Sequence, residues 1–231
     1  MAKRIAVFVE GMTEQVFVQK LLIEMAGRQR ITIHTTEARG NRSSRAIVLQ
    51  GYSEARTQYY ALICDCGADN AVASDIIDNY NGLLRQGYDL VLGLRDVHPA
   101  RSHQIPEIRN AISKVLPRGK VPVHVVLAIR EIEAWFIVED RHYPSIHAEL
   151  SEELIRAELG LDTATVDAES IQCPAETLHA IYQLRGRGYR KSKRHVERTV
   201  NALDYERLDV ELSNRIPSLG ELCRRIGDFL A

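Results

Sequence analysis

The segment Ile5–Val9 is a continuous apolar run, β-branched at three of its five positions and closed at once by Glu10 and Gly11. A strand with no polar face must be covered on both sides, which places it inside a parallel sheet rather than on a solvent-facing one. Gly11 turns the chain, and Thr13 is expected to cap a helix running to about Ala26. Phe17, Val18, Leu21, Leu22 and Met25 give that helix its apolar stripe, and Glu14 falls in its first turn, where the helix dipole favours negative charge. Further strands are expected at Ile31–Thr36, Ala61–Cys64, Asp89–Leu94 and Val121–Ile129, with a polar loop over Glu37–Ser44. Helices are expected over 71–85, stopped by Gly87, and over 106–115. This alternation predicts an α/β protein with a mostly parallel, Rossmann-like sheet flanked by helices.

Past Asp140 the pattern holds no strand. Shorter, more charged helices are expected at roughly 147–159, 175–185, 191–203 and 217–230. The expected organisation is therefore a core of residues 1–140 followed by a helical C-terminal region, 141–231. A hydrophobic fraction of 45% over 231 residues suffices to build a core without disulfides or structural metals. Cys64, Cys66, Cys173 and Cys223 form no CxxC pair, so reduced thiols and a cytoplasmic location are expected. The apolar stretch Val121–Val138 is interrupted by His124, Arg130, Glu131 and Glu133, and no membrane association is expected. With 30 Lys and Arg against 31 Asp and Glu, net charge selects no class of partner; only local clustering can.

Ligands of open parallel sheets bind beyond the carboxyl ends of the strands. Three of those ends carry acids, Glu10, Asp65 and Asp96, and a fourth runs into Arg130-Glu131-Ile132-Glu133. Clustered carboxylates repel one another unless a cation sits among them, and Mg²⁺ takes such hard oxygen ligands. Each acid also has a plainer use: Glu10 as a cap, Glu14 as a dipole partner, Asp96 in a turn, and either Glu131 or Glu133 capping the next helix. Either of that last pair is the candidate ligand.

Val9-Glu10-Gly11-Met12-Thr13-Glu14 resembles the opening motif of Toprim domains, closest to the overcoming-lysogenization-defect nuclease type and related bacterial defence proteins. Glu131-Ile132-Glu133-Ala134-Trp135-Phe136 is similar to the closing motif of a Toprim-like bacterial family. Tyr189-Arg190-Lys191 and Pro217-Ser218-Leu219 suit that family's helical tail. The resemblance implies a metal-dependent nuclease with Glu10 as general acid/base, Glu14 as a second acid, and Mg²⁺ or Mn²⁺ held by a downstream Asp-x-Asp and the last acid motif. Here the Asp-x-Asp position reads Asp96-Val97-His98, and a His98 ligand shifts preference from Mg²⁺ towards Mn²⁺. Asp65 and Asp69 have the wrong spacing for that pattern.

The run Arg185, Arg187, Arg190, Lys191, Lys193, Arg194 and Arg198 includes one acid, Glu197, and suits a phosphate backbone; the plainer reading is a solvated face. Arg39, Arg42 and Arg45 form a weaker cluster. The expected substrate is DNA or RNA. No GxxxxGK[ST] loop occurs, so any ATPase would be a separate subunit. The alternative expectation is a catalytically degenerate Toprim-like module that binds nucleic acid or a nucleotide, or serves a larger complex.

Overall fold

β1 (Lys3–Val9) lies at the heart of a six-stranded sheet ordered β3-β2-β4-β1-β5-β6, and Ile5 to Val9 are all buried. The other strands are β2 (Ile31–Arg39), β3 (Ala46–Tyr52), β4 (Tyr59–Asp65), β5 (Leu90–Asp96) and β6 (Val123–Ala128). Five of them run parallel, and β3 pairs antiparallel with β2 at the edge, so the expected α/β class is the one observed. The computed structural model describes residues 2–28, 30–39, 46–52, 57–68, 71–97 and 102–231. His98, Asp69, Arg42 and Arg45, and the Arg39 side chain, lie outside that description.

By its contacts the chain divides into two compact units. The first comprises Met1–Asp96, Arg101–Leu127 and Arg224–Ala231, and the second Val97–Ala100 and Ala128–Cys223. This division falls at 127/128, at the last residue of β6.

In the first unit, α1 (Met12–Ala26) packs on β1, β2 and β4. α2 (Ala71–Arg85) packs on β1 and β5, and α3 (Ile105–Val115) lies against α2. Ala6 and Phe8 join Val72, Ile76, Tyr80 and Val91 in one buried cluster. Alternation along the strand turns Ile5, Val7 and Val9 to the opposite face. Gly93 of β5 has no room for a side chain: a Cβ there would meet Val125 Cγ2 and Val72 Cγ1, each at 2.9 Å.

Two local expectations are corrected. The α1 cap is Gly11, with no side-chain hydrogen bond, and Thr13 is a buried residue inside the helix. The segment expected to be a loop from Glu37 is still strand to Arg39, where β2 pairs with Ala46 of a strand the pattern did not suggest. Ala46-Ile47-Val48-Leu49 was the available signal, too short and too close to polar residues to separate from loop.

The second unit is helical among its described residues. It holds α4 (Glu133–Val138), α5 (Tyr143–Ile146), α6 (Glu152–Leu159), α7 (Pro174–Gln183), α8 (Lys193–Ala202), α9 (Tyr205–Val210) and the start of α10 (Pro217–Leu230). The helix expected from 147 starts only at Glu152, where the Ser151 side chain accepts from the Leu154 N–H. α4 is buried along its whole length and packs on α7, so it forms this unit's core. Beside it, His142 Nε2 lies 2.8 Å from the Tyr182 hydroxyl and His142 Nδ1 lies 3.2 Å from Glu139 Oε2, all fully buried.

Arg207 forks onto Asp140, with Nη2 donating to Oδ2 at 3.1 Å. Burial opposes ionisation of Asp140, but hydrogen bonds from Arg207 and its charge outweigh that and hold the carboxyl below its usual value. Glu152 answers in the other direction: its hydrogen bond to Asp140, then burial and the Asp140 charge, push it up to about 7.

Two predictions arise from this packing. Gly93→Ala should destabilise the protein by about 1–3 kcal/mol through overpacking at the sheet, read as a lower urea midpoint; an unchanged midpoint would contradict the close approach. The Glu152 carboxyl has a folded value above its ordinary 4.5, so the native state holds more protons between 4.5 and about 7. Its contribution to stability therefore falls as pH rises through that window. Glu152→Gln should match wild type in Tm near about pH 4 and exceed it at about pH 8; a pH-independent difference would remove Glu152 from this titration.

Candidate metal centre

Parallel pairing brings the strand ends to one edge: Val9 stands opposite Asp65 on one side and Leu94 on the other, two residues short of Asp96. Glu10 follows directly, and its Oε2 accepts the Asp96 N–H at 2.7 Å. Asp65 instead turns on itself, accepting the Gly67 N–H at 2.8 Å. Glu14 is buried in the first turn of α1.

After β6 the backbone changes direction at Arg130, which has a φ of 70°. A side chain in that left-handed region costs on the order of 1–2 kcal/mol. The bend is held by the Val97 N–H, which faces the carbonyls of Ala128 and Arg130 at 3.1 and 3.2 Å. Val97 is peptide-bonded to Asp96, so these bonds fix the acid's backbone beside the bend. α4 begins three residues after it, with Glu133 as its first residue.

Glu131 meets partners through both of its oxygens. Its Oε2 accepts the Ala175 N–H at 3.1 Å, at the start of α7, where a carboxylate complements the helix dipole. Its Oε1 takes the Lys191 ammonium at 2.8 Å. Glu133 is fully buried; its Oε1 accepts the Tyr189 hydroxyl at 2.8 Å and lies 3.3 Å from Lys191 Nζ. Its Oε2 is buried with no hydrogen-bond partner. Burial raises the Glu133 pKa and the Glu131 charge adds to this, while Lys191 and Tyr189 pull it down.

Ligand oxygens of Asp96, Glu131 and Glu133 all lie within 4.8 Å of one another. Among the described residues these three acids form a group able to hold a metal ion, and neither Glu10 nor Glu14 belongs to it. The donor set is all carboxylate, which suits a hard divalent cation, and one oxygen of Glu133 is left without a hydrogen-bond partner in the protein. The residues fit such an ion. An unsatisfied buried carboxylate oxygen is otherwise costly, by about 1–3 kcal/mol or more.

The expected basic run is divided by the structure. Arg185 pairs with Glu149 at 3.2 Å, Lys193 stands 3.9 Å from Glu197, and Arg198 lies 5.5 Å over the Tyr182 ring. Lys191 reaches the acids, while Arg187, Arg190 and Arg194 are exposed. The roles of Lys191 and Tyr189 at the carboxylates were missed by sequence reasoning, since nearly sixty residues separate them from the acids they meet.

No family model, curated protein or solved structure matches this chain. No helix among the described residues is long and apolar enough to cross a membrane.

Glu133→Gln keeps an acceptor for Tyr189 and removes one of the clustered negative charges. The variant should melt a few degrees higher than wild type in EDTA, for about 1 kcal/mol, and should lose any rise in Tm that Mn²⁺ gives the wild type. A variant that Mn²⁺ stabilises as much as wild type would exclude Glu133 as a ligand.

Proposed function

We propose that this protein is a metal-dependent phosphodiesterase, a nuclease acting on DNA or RNA in the cytoplasm, with Asp96, Glu131 and Glu133 as its metal ligands. The observation that carries the reading is that Glu133, fully buried and with one carboxylate oxygen lacking a hydrogen-bond partner, offers a ligand oxygen within 4.8 Å of those of Asp96 and Glu131. A divalent ion there would polarise a phosphoryl oxygen and lower the pKa of a bound water. The resemblance of Val9–Glu14 to the opening motif of Toprim nucleases, and of Glu131–Phe136 to the closing motif of a Toprim-like family, suggests the same chemistry and supplies the defence or nucleic-acid-processing context.

Each protein group then has a distinct task. Glu10, hydrogen-bonded to the Asp96 N–H, steadies the end of β5 and is the proposed proton acceptor beside the ligands. Tyr189 orients Glu133 by donating to one oxygen only. Exposed Arg187, Arg190 and Arg194 are the proposed contacts to the phosphate backbone, a sequence-independent attraction that salt weakens. Mg²⁺ suits the carboxylates, and His98 as an added ligand would favour Mn²⁺.

One observation favours a second reading. Lys191 already supplies positive charge to Glu131 and Glu133, as it would in a module that has lost catalysis and only binds nucleic acid or a partner such as an ATPase subunit.

Labelled single- and double-stranded DNA and RNA, incubated with Mg²⁺, Mn²⁺ or EDTA, separate the two. The nuclease reading expects metal-dependent cleavage that Glu133→Gln and Glu10→Ala each reduce by about a hundredfold or more while both variants stay folded. Folded wild type that cuts nothing with either ion, yet binds nucleic acid equally in EDTA, would establish the binding module instead.

A further inference from the structure

The acids of the second unit are neutralised by a side chain that arrives from the surface. Lys191 Nζ lies 2.8 Å from Glu131 Oε1 and 3.3 Å from Glu133 Oε1, yet its side chain is 41% exposed. The backbone that carries it is pinned by neighbours rather than by the lysine. The Tyr189 N–H donates to His179 Nδ1 at 3.0 Å, the Arg190 N–H donates to His195 Nδ1 at 3.0 Å, and Arg198 donates to the Gly188 carbonyl. α8 begins two residues further on, at Lys193. The lysine side chain can therefore leave the carboxylates by rotating about its own flexible stem, with the loop and the fold unchanged.

Tyr189 differs. Its ring is buried, its hydroxyl is neutral, and it occupies only Oε1 of Glu133, leaving Oε2 without a hydrogen bond. A cation bound through Oε2 has no quarrel with the tyrosine. It does compete with the ammonium, because both draw on the same negative charge and a positive ion beside another is repelled.

We propose that Lys191 is the site's exchangeable counter-ion: it neutralises Glu131 and Glu133 in the metal-free protein, and an entering divalent cation displaces it towards solvent. The inference rests on the reading of Asp96, Glu131 and Glu133 as metal ligands and adds how that site is held ready. The ammonium keeps clustered acids in place before the ion arrives, at the cost of weaker metal binding. On exchange the displaced charge joins exposed Arg190 on the same loop, so metal and polyanion favour each other's binding.

Titration calorimetry of the EDTA-stripped full chain with Mn²⁺ tests this, using Lys191→Met, Lys191→Arg and Lys193→Met beside wild type. Lys191→Met should bind Mn²⁺ about tenfold more tightly, since the competing charge is gone. Lys191→Arg, whose guanidinium clamps a carboxylate with two donors, should bind more weakly than wild type. Lys193→Met removes the same charge from a residue paired with Glu197 and should change affinity less than about twofold, which separates local exchange from long-range attraction. If wild type binds Mn²⁺ and Lys191→Met binds it equally or less tightly, the exchange is overturned and the metal site stands. Should neither wild type nor Lys191→Met bind Mn²⁺, with circular dichroism showing both folded, the metal-site reading itself falls and the exchange with it.

Discussion

β1 is covered on both faces and paired in parallel on both edges, and the alignment of Glu10, Asp65 and Asp96 along one edge of the sheet follows from that pairing. Parallel strands direct their carboxyl ends the same way, so acids far apart in sequence reach one rim without needing long loops to carry them. The order β3-β2-β4-β1-β5-β6 sets which of those ends are neighbours. Asp65, the last residue of β4, turns into its own Asx hydrogen bond, whereas Asp96, at the end of β5, has its N–H taken by Glu10. Side-chain-to-backbone bonds of this kind fix the backbone of the acid rim rather than its carboxylates.

The second determinant is a buried negative charge that the protein only partly satisfies. Glu133 opens a helix that is itself wholly buried, so its carboxyl cannot turn to water. Tyr189 and Lys191 address one oxygen and leave the other bare. A chain selected for stability alone would do better with an apolar residue there, because a half-satisfied buried charge is worse than none. The left-handed Arg130 adds local backbone strain at the same bend. Strain and an unsatisfied charge thus lie within four residues of each other, held by the packing of α4 on α7.

The strong periodic elements were legible. α2 begins at Ala71 and ends at Arg85, as its pattern predicts, and Gly87 follows with a φ of 71°. β1, β5 and the absence of strands past β6 among the described residues were equally plain, because long apolar runs and helical stripes state their own burial. Short elements were not. β3 is an edge strand of mixed polarity, and α4, α5 and α9 have six residues or fewer, too few for a period to emerge. The Thr13 cap failed because threonine's preference for that position yielded to burial inside α1.

For the candidate site, sequence alone identified acids at strand ends and marked Asp96, Glu131 and Glu133 among them, because strand-terminal acids are visible wherever the strands are. It also marked Glu10 and Glu14, which the structure leaves outside the three-acid group. Lys191 belonged, by sequence, to a surface run of positive charge; only the fold brings its ammonium to Glu131 and Glu133. Charge and periodicity along a chain are one-dimensional properties and can be read there. Which charge meets which is decided by packing, and packing at α4 and the loop before α8 is where this protein selects the partners of its acids.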